Sequence, residues 1–384
     1  MNHALEVRLL RECLELSKKQ SPRLASQIQE SPVSRYTDES RFAREFTAIF
    51  KSHPLPMAHS SELARENEFV VRDSPWGSLI ILRSAGGVKA FHNVCRHRGA
   101  RLVHDTQGCA ERFQCPYHGW TYNPAGELIA LPHGKTAFPE LQRERRGLSE
   151  LRCDERFGFI WVSPLDAEEK EGFFNRAFRR DLEWLAMDKL YMFASSTNTW
   201  RANWKLIAEG GLETYHFRFA HSESIAPFFL DNVAVADFFD LHTRTILPFA
   251  NIGELEQKPE AEWSLRDSSH ILYSLFPMGS FLVESDHVVW VQSRPIGVAE
   301  TEITVATLVP DDPKTISDKA RDYWQKNHDI TVTVLNEDFS LGEEIQSGFA
   351  SDANDTLCFG RNEGSLQLLN EKIERLLEGS EPSR

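Results

Sequence analysis

Two short motifs that each combine a cysteine with a histidine lie close together in the chain: Cys95-x-His97 and Cys115-x-x-His118. Each motif is compact enough for both of its side chains to reach one metal centre. A tetrahedral zinc site usually combines a Cys-Cys pair with a His-His pair, whereas both pairs are mixed here. A [2Fe–2S] cluster with two thiolates on one iron and two imidazoles on the other fits mixed pairs better. Zinc remains the alternative.

The residues around the two motifs favour the cluster. Gly99, Pro116 and Gly119 would allow two loops to approach closely and to present backbone N–H groups to bridging sulfide. Cys109 lies in the connecting segment, outside the pattern, and we expect it to be a packed thiol.

A second candidate metal site begins with His216 and His221 in the segment "NWKLIAEGGLETYHFRFAH". Five residues of ideal helix turn by about 500°, which leaves the two rings roughly 140° apart. The two histidines can share a metal only if the helix has a bulge or kink near Phe217–Ala220. Two histidines and one carboxylate with open positions form the ligand set of non-haem Fe(II) oxygenases.

The segment "VLNEDFSLGEEIQSGF" is the best source of that carboxylate. Asp338 falls on an apolar helical stripe with Leu335, Gly342 and Ile345. A carboxylate in such a stripe is costly unless something binds it, so we predict Asp338 as the third ligand. Glu337, Glu343 and Glu344 fall mostly off the stripe.

From about residue 45 to its end, the chain resembles the catalytic α-subunit of a Rieske non-haem iron oxygenase. The resemblance rests on "CRHRG", "CPYHGW" and "NPAGEL", followed in the right order by "NWKLIAE…ETYH…H" and "EDFSLGEEIQSG". It implies that Cys95, His97, Cys115 and His118 hold a [2Fe–2S] cluster. It also implies a small β Rieske domain joined to a helix-grip catalytic domain around an antiparallel sheet.

The same resemblance implies that His216, His221 and Asp338 bind a mononuclear Fe(II). It assigns to Glu213 the role of an intersubunit electron relay, hydrogen-bonded to His216 and to a Rieske histidine, His118, of a neighbouring subunit. Glu213 lies three residues before His216, which would place both on one side of a helix.

Two sequence details refine the resemblance. Glutamate at position 213 resembles the oxygenases that act on carnitine, choline and glycine betaine, whereas many ring-hydroxylating dioxygenases have aspartate there. Gly210 and Gly211 depart from the family, which usually has asparagine after Glu209, and they predict a kink or a close backbone approach.

The implied function is that of the oxygenase component of a multicomponent system. Electrons from NAD(P)H would come through a separate flavin/iron–sulfur reductase, because no nicotinamide or flavin motif is evident in this chain. O2 and a small organic substrate would react at the iron, giving hydroxylation or oxidative demethylation, and Glu213 favours a quaternary amine. The alternatives are an aromatic-ring hydroxylase or O-demethylase, and a non-enzymatic iron–sulfur or zinc protein. The resemblance also implies a head-to-tail homotrimer, a ring closed by heterologous contacts.

The elements that must position these residues indicate an α+β protein. We predict an N-terminal helical segment over residues 1–44, with a loop near "SPVSRYTDES", a Rieske domain over 45–165 and a catalytic domain over 166–384. "EFVVRD", "GSLIILRS", "VKAFHN" and "RFGFIWVSP" predict strands of the first of these domains.

The catalytic domain should begin with a helical connection, "LDAEEKEGFFNRAFRRDLEWL". A helix over residues 313–348 and a final helix should follow the last strand. The strands of this domain are predicted near 191–201, 240–248, 270–276, 280–284, 287–293 and 301–309.

Composition restricts the partners and the compartment. A net charge of −14 argues against a nucleic-acid partner. No apolar run reaches the roughly 18 residues of a membrane span, and the charged N-terminus lacks the apolar core of a signal peptide. The 6 cysteines are scattered, which favours a reducing cytoplasm over a disulfide framework.

Overall fold

The computed structural model describes residues 1–20, 22–165 and 173–379, and these residues form two compact units. The larger unit comprises the described residues of 1–49, 170–185 and 192–384. The smaller unit comprises those of 50–169 together with 186–191. Residues 1–49 therefore group with the larger unit, and the predicted boundaries at 44/45 and 165/166 stay predictions.

The α-helices of the described residues are α1 (His3–Lys19), α2 (Ser34–Thr37), α3 (Glu39–Glu45), α4 (Gly134–Ala137), α5 (Arg176–Leu185), α6 (Trp204–Gly210), α7 (Phe217–Ala220), α8 (Leu265–Ser268), α9 (Asp318–Phe349) and α10 (Gly364–Glu378). None of these helices combines the length and the apolar character that crossing a bilayer requires.

The strands of the first half are β1 (Gln29–Pro32), β2 (Leu55–His59), β3 (Glu68–Ser74), β4 (Gly77–Ser84), β5 (Gly87–His92), β6 (Gln107–Cys109), β7 (Phe113–Gln114), β8 (Thr121–Tyr122), β9 (Leu128–Ala130), β10 (Glu150–Arg156) and β11 (Phe159–Ser163). Those that follow are β12 (Tyr191–Trp200), β13 (Val235–Phe239), β14 (His242–Pro248), β15 (Ser269–Leu275), β16 (Gly279–Val283), β17 (Val288–Gly297), β18 (Glu300–Val309) and β19 (Thr356–Phe359).

The smaller unit is built on a sheet with the strand order β2-β11-β10-β5-β4-β3-β6, beside a small sheet of β7, β8 and β9. Its core joins apolar side chains of β3, β4 and β5 to Trp120, Tyr122 and both motif cysteines. The two metal-ligand motifs lie in the loops after β5 and after β7, so the core anchors both loops.

The larger unit contains an antiparallel sheet with the strand order β12-β18-β17-β16-β15-β14-β13 and the 32-residue helix α9. Alternate side chains of β17 and β18, among them Val291 and Val305, pack against Phe339 of α9. This packing fixes the rotation of α9 about its axis. It therefore determines how the neighbouring carboxylates of Glu337 and Asp338 are oriented relative to the sheet.

Most of the predicted elements occur near their expected places, but three differ. The predicted loop at "SPVSRYTDES" contains the end of β1, which pairs with β19, and the short helices α2 and α3. The short strands β2, β6, β7 and β19, and the longer β10 and β13, were not predicted from the sequence, whereas "NPAGEL" forms the turn between β8 and β9. Of the helical connection predicted over 165–185, residues 166–172 lie outside the described residues, and α5 forms the remainder.

Candidate metal centres

The two cysteine–histidine loops share one backbone geometry. In each loop the cysteine N–H donates to the carbonyl five residues later at 2.8 Å, for Cys95 and Cys115 alike. The N–H of the glycine four residues after each cysteine donates back to the cysteine carbonyl at 3.0 Å. Gly99 and Gly119 hold left-handed φ angles of +83° and +70°, which glycine adopts without strain.

The two cysteines lie deeper in the protein than the two histidines. This suits a two-iron cluster in which one iron is bound by thiolates and the other by imidazoles. Cys95 and Cys115 are buried at 2% and 3% exposure, whereas His97 is half-buried and His118 is exposed. The two imidazole rings lie 4.7 Å apart, and His97 stacks on Trp120. His97 Nδ1 is buried and has no hydrogen-bond partner, so it can serve as a metal ligand.

Tyr122 gives the inner side of the cluster site a hydrogen-bond donor. Its hydroxyl lies 3.5 Å from Cys95 Sγ and accepts the N–H of Arg96 at 3.0 Å. Burial raises the pKa of the Tyr122 hydroxyl, which therefore stays a donor to a thiolate. Cys109 is exposed rather than packed, because β6 is the edge strand of its sheet. The four predicted ligands thus fit a [2Fe–2S] cluster.

His216, His221 and Asp338 come together in the larger unit. The predicted bulge or kink near Phe217–Ala220 is absent, because these residues form the regular turn α7 with ordinary i→i−4 hydrogen bonds. The helix is instead interrupted before His216, where α6 ends at Gly210, and it stops again at His221. His221 Nε2 lies 2.9 Å from Asp338 Oδ1, and His216 Nε2 lies 3.4 Å from the same oxygen. One ligand atom from each residue lies within 4.8 Å of the others. The described residues hold no other group of three or more metal-ligating side chains this close.

The chemistry of these three residues fits a divalent metal. The Nδ1–H groups of both histidines donate to other carboxylates, which leaves each Nε2 facing Asp338. His216 Nε2 is buried without an aligned hydrogen bond. Burial opposes a charge on His216, but Asp338 and Glu213 outweigh it and raise its pKa to about 9. The site therefore favours a cation at this position.

Two carboxylates hold the histidine rings from behind. Glu213 accepts the Nδ1–H of His216, as expected, but it lies in the turn before α7 rather than on a shared helix. Glu337 accepts the Nδ1–H of His221 at 2.6 Å and the hydroxyl of Ser224 at 2.7 Å. Glu337 was not predicted as a site residue, because an acid off the apolar stripe is indistinguishable in sequence from a solvated one.

A cavity of about 960 Å³ adjoins the iron-ligand residues. Phe217 packs edge-on against His221, and Phe229 contacts both Phe217 and Phe249. Beyond Phe229, His270 Nδ1 lies 2.9 Å from Glu284 Oε1, and both of these residues line the cavity. From Phe217 through Phe229, this part of the wall thus leads from His221 along aromatic rings to the carboxylate of Glu284.

Comparison with known proteins gives two family matches. The catalytic domain of ring-hydroxylating alpha subunits matches residues 184–379, just over half of the chain. The Rieske [2Fe-2S] domain matches residues 53–142.

Relatives of known activity match most of the chain. The glycine betaine monooxygenase oxygenase subunit of Chromohalobacter salexigens is 28% identical over 359 residues, covering 84% of this chain and 80% of that protein. The carnitine monooxygenase oxygenase subunit of Acinetobacter baumannii is 26% identical over 325 residues, covering 82% and 84%.

Solved structures share the fold. The quaternary ammonium Rieske monooxygenase CntA with L-carnitine superposes with a TM-score of 0.75 at 20% identity, covering 92% of this chain and 96% of that one. Naphthalene 1,2-dioxygenase with indole bound superposes with a TM-score of 0.72 at 19% identity, covering 94% and 97%.

These matches confirm the expected fold, a Rieske β domain plus a catalytic domain with an antiparallel sheet, and they leave the zinc and electron-carrier alternatives without support. The cofactors are those of the family, a [2Fe–2S] cluster and a mononuclear iron supplied with electrons by a reductase. With its catalytic-domain match over half of its length and a Rieske domain before it, the chain belongs to the ring-hydroxylating α-subunit family and is the oxygenase component of a Rieske system.

Proposed function

We propose that this oxygenase acts on a quaternary amine, by hydroxylation or by oxidative demethylation. The main observation behind this proposal is the carboxylate of Glu284 in the wall of the cavity. Burial opposes its charge, but His270 lowers the pKa of Glu284 to about 2, so it is ionised at neutral pH. A neutral aromatic substrate would gain nothing from this charge, whereas an ammonium group would be attracted by it, although His270, His287 and Arg266 offset part of the attraction.

The aromatic rings near the iron ligands support the same substrate class. Phe217, Phe229 and Phe249, here called the phenylalanine cluster, form a continuous surface between His221 and the His270–Glu284 pair. Aromatic faces attract ammonium groups that cannot donate hydrogen bonds. The relatives named for glycine betaine and carnitine act on amines of this type.

The predicted site residues have distinct roles in this proposal. His216, His221 and Asp338 would bind Fe(II), and Cys95, His97, Cys115 and His118 would bind the cluster. When bound, the cluster supplies single electrons and the iron supplies the chemistry that activates O2. Glu337 keeps the Nδ1 proton on His221 and so presents Nε2 to the metal. The phenylalanine cluster would hold the amine beside the metal and exclude water.

Glu213 is proposed to link two subunits. It holds His216 Nδ1 on one side, and on the other it would accept a hydrogen bond from His118 of the partner subunit. Two large side chains beside it are exposed, Tyr215 at 54% and Phe219 at 75%. Exposed aromatic residues of this kind are typical of protein–protein interfaces. A head-to-tail homotrimer would cover them and repeat the link three times.

A cytoplasmic location belongs to the same proposal. None of the 6 cysteines forms a disulfide, and two that lie outside the cluster motifs, Cys109 and Cys358, are exposed thiols. Exposed free thiols persist in a reducing compartment.

A single-turnover experiment tests the substrate class. The holoenzyme is reduced anaerobically, freed of reductant and mixed with O2 and one candidate substrate from a panel. The panel includes glycine betaine, carnitine, γ-butyrobetaine and choline, with naphthalene and an aryl methyl ether as neutral comparisons. We expect hydroxylated or demethylated amine at no more than one product per iron. Products from the neutral aromatic compounds alone would contradict the proposal.

The variant Glu284→Gln tests the charge directly. Loss of one charged contact should raise KM for the amine by about 10-fold and leave kcat nearly unchanged. Glu344→Gln, on the exposed side of α9, is the matched control. An unchanged KM in Glu284→Gln would remove the main support for a cationic substrate.

A further inference from the structure

We propose that Lys372, Thr243 and Thr245 form a carboxylate-binding subsite at the end of the cavity remote from His216, His221 and Asp338. The substrate would then be a zwitterion, with its ammonium group beside the iron and its carboxylate at Lys372. This substrate class rests on the proposed function, but the subsite is defined by its own residues.

Lys372 is a buried ammonium without a carboxylate partner. Its side chain projects from α10, and the residue is only 5% exposed. Nζ donates to the Leu241 carbonyl at 2.6 Å and lies 5.7 Å from the centre of the Phe276 ring. In the described part of the chain it forms no ion pair. Burial outweighs the attraction of the nearby, exposed Asp240 and lowers the pKa of Lys372 to about 8, so the ammonium form still predominates at neutral pH.

Two hydroxyl groups nearby also have no partner. Thr243 and Thr245 are 4% and 2% exposed, and neither Oγ1 has a hydrogen bond. Both threonines line the cavity from the same face of β14, where alternate residues lie about 7 Å apart. Leu241, which anchors Lys372, is two residues before Thr243. An ammonium group and two unused hydroxyl donors therefore lie along one edge of the cavity.

The chemistry of this edge selects an anion. A buried hydroxyl without a partner costs about 1–3 kcal/mol, and a buried charge costs more. A carboxylate would accept from Nζ and from the hydroxyls, and would offset both costs. Its two oxygens can accept from more than one donor, and its charge balances the ammonium.

The subsite lies far from the iron-ligand residues. Glu363, just before α10, interacts electrostatically with His216, and Lys372 is nine residues further, which is about 13 Å along a helix. A substrate that reaches both ends needs a longer spacer than glycine betaine has, and the cavity of about 960 Å³ has room for one.

Calorimetry on the holoenzyme tests the subsite with octanoate as the probe and octanamide as its neutral analogue. We expect octanoate to bind more tightly than octanamide. Lys372→Met should weaken octanoate binding by about 10-fold to 100-fold and leave octanamide binding unchanged. Thr243→Val and Thr245→Val should each weaken octanoate binding by roughly 3-fold to 10-fold. If Lys372→Met does not fold, these two variants test the subsite in its place. Lys326→Met and Thr333→Val, both on the exposed side of α9, are the matched controls.

Turnover separates this proposal from the proposed function. We compare trimethylammonio-octanoate with its methyl ester in wild type and Lys372→Met, and expect the variant to raise KM for the acid alone. Amine oxidation with equal KM for acid and ester, or octanoate binding that is equal in wild type and Lys372→Met, overturns the subsite. Lys372-dependent octanoate binding without oxidation of any amine supports the subsite and contradicts the proposed function.

Discussion

The cluster loops of the smaller unit draw four candidate ligands from residues 95–118, whereas the iron-ligand group of the larger unit draws three from residues 216–338. In the loops, short backbone hydrogen bonds and two left-handed glycines hold the cysteines. In the iron-ligand group, side chains hold the ligands in place. Glu213 and Glu337 orient the histidines, and α9 brings Asp338 to them.

The two regions should therefore differ in how far the effect of a substitution spreads. A metal site that is held by its own two loops depends mainly on the local conformation of those loops. Its ligands can also be recognised in the sequence, because they form a compact motif. A site assembled from α7 and α9 depends on tertiary packing and on carboxylates that hold the histidines from behind. We therefore expect substitutions around the iron group to act at a distance, and those around the cluster to stay local.

Removing a ligand from either region should give the largest and most separable effects. We expect Cys115→Ala to abolish the cluster absorption while mononuclear iron binding survives, and His221→Ala to do the reverse. Turnover should fall to background in both. Absorption, EPR and iron analysis check this, with Cys109→Ser as the control, because this exposed thiol lies outside the motif. Loss of both centres from one ligand variant would show that the two regions are not separable.

Glu213→Gln should lower turnover by about 100-fold while both metals stay bound, because it weakens the hydrogen bond behind His216. After anaerobic reduction, we expect the cluster to reoxidise slowly in the presence of O2 and substrate. Glu223→Gln, an exposed acid after the second histidine, should behave as wild type. Wild-type reoxidation in Glu213→Gln would contradict a relay role.

Glu337→Gln should weaken iron binding by about 10-fold, because a neutral amide oxygen accepts the Nδ1–H of His221 more weakly than a carboxylate does. Ser224→Ala should have a smaller effect of the same sign, since it removes one hydrogen bond to Glu337. Metal titration of the apo-site measures both. Equal affinity in Glu337→Gln and in the exposed-side control Glu344→Gln would show that His221 is held by packing alone.

Tyr122→Phe should have the smallest effect, a lower midpoint potential of the cluster. Loss of one hydrogen bond worth about 1 kcal/mol corresponds to roughly 40 mV for a one-electron couple. Tyr117→Phe is the control, because among the described residues the Tyr117 hydroxyl has the Arg98 side chain as its hydrogen-bond partner, at 3.4 Å, and not a cluster cysteine. An unchanged potential in Tyr122→Phe would mean that its hydroxyl does not bond the cluster thiolate.

The two regions also differ in what their sequence reveals. The cysteine–histidine motifs and the His216–His221 pair were predictable from residue types and spacing. The bulge predicted near Phe217–Ala220 was wrong, because that stretch is a regular turn and the helix ends on both sides of it. The role of Glu337 was not predictable, because its contact with His221 depends on the rotation of α9 about its axis. That rotation is set by the packing of Val291, Val305 and Phe339. Lys372 and Thr243 are far apart in sequence, and only the register of the sheet and the position of α10 bring them to one cavity edge.

The dependence of the two regions on each other can be measured in mixed oligomers of Cys115→Ala and His221→Ala subunits. Neither parent should turn over substrate, because each lacks one centre. If electrons pass from the cluster of one subunit to the iron of the next, random assortment in a closed ring restores about a quarter of the interfaces. We therefore predict that mixing restores turnover and that Glu213→Gln in the cluster-deficient subunit abolishes it. Mixed oligomers that carry both metals yet remain as inactive as the parents would contradict the account.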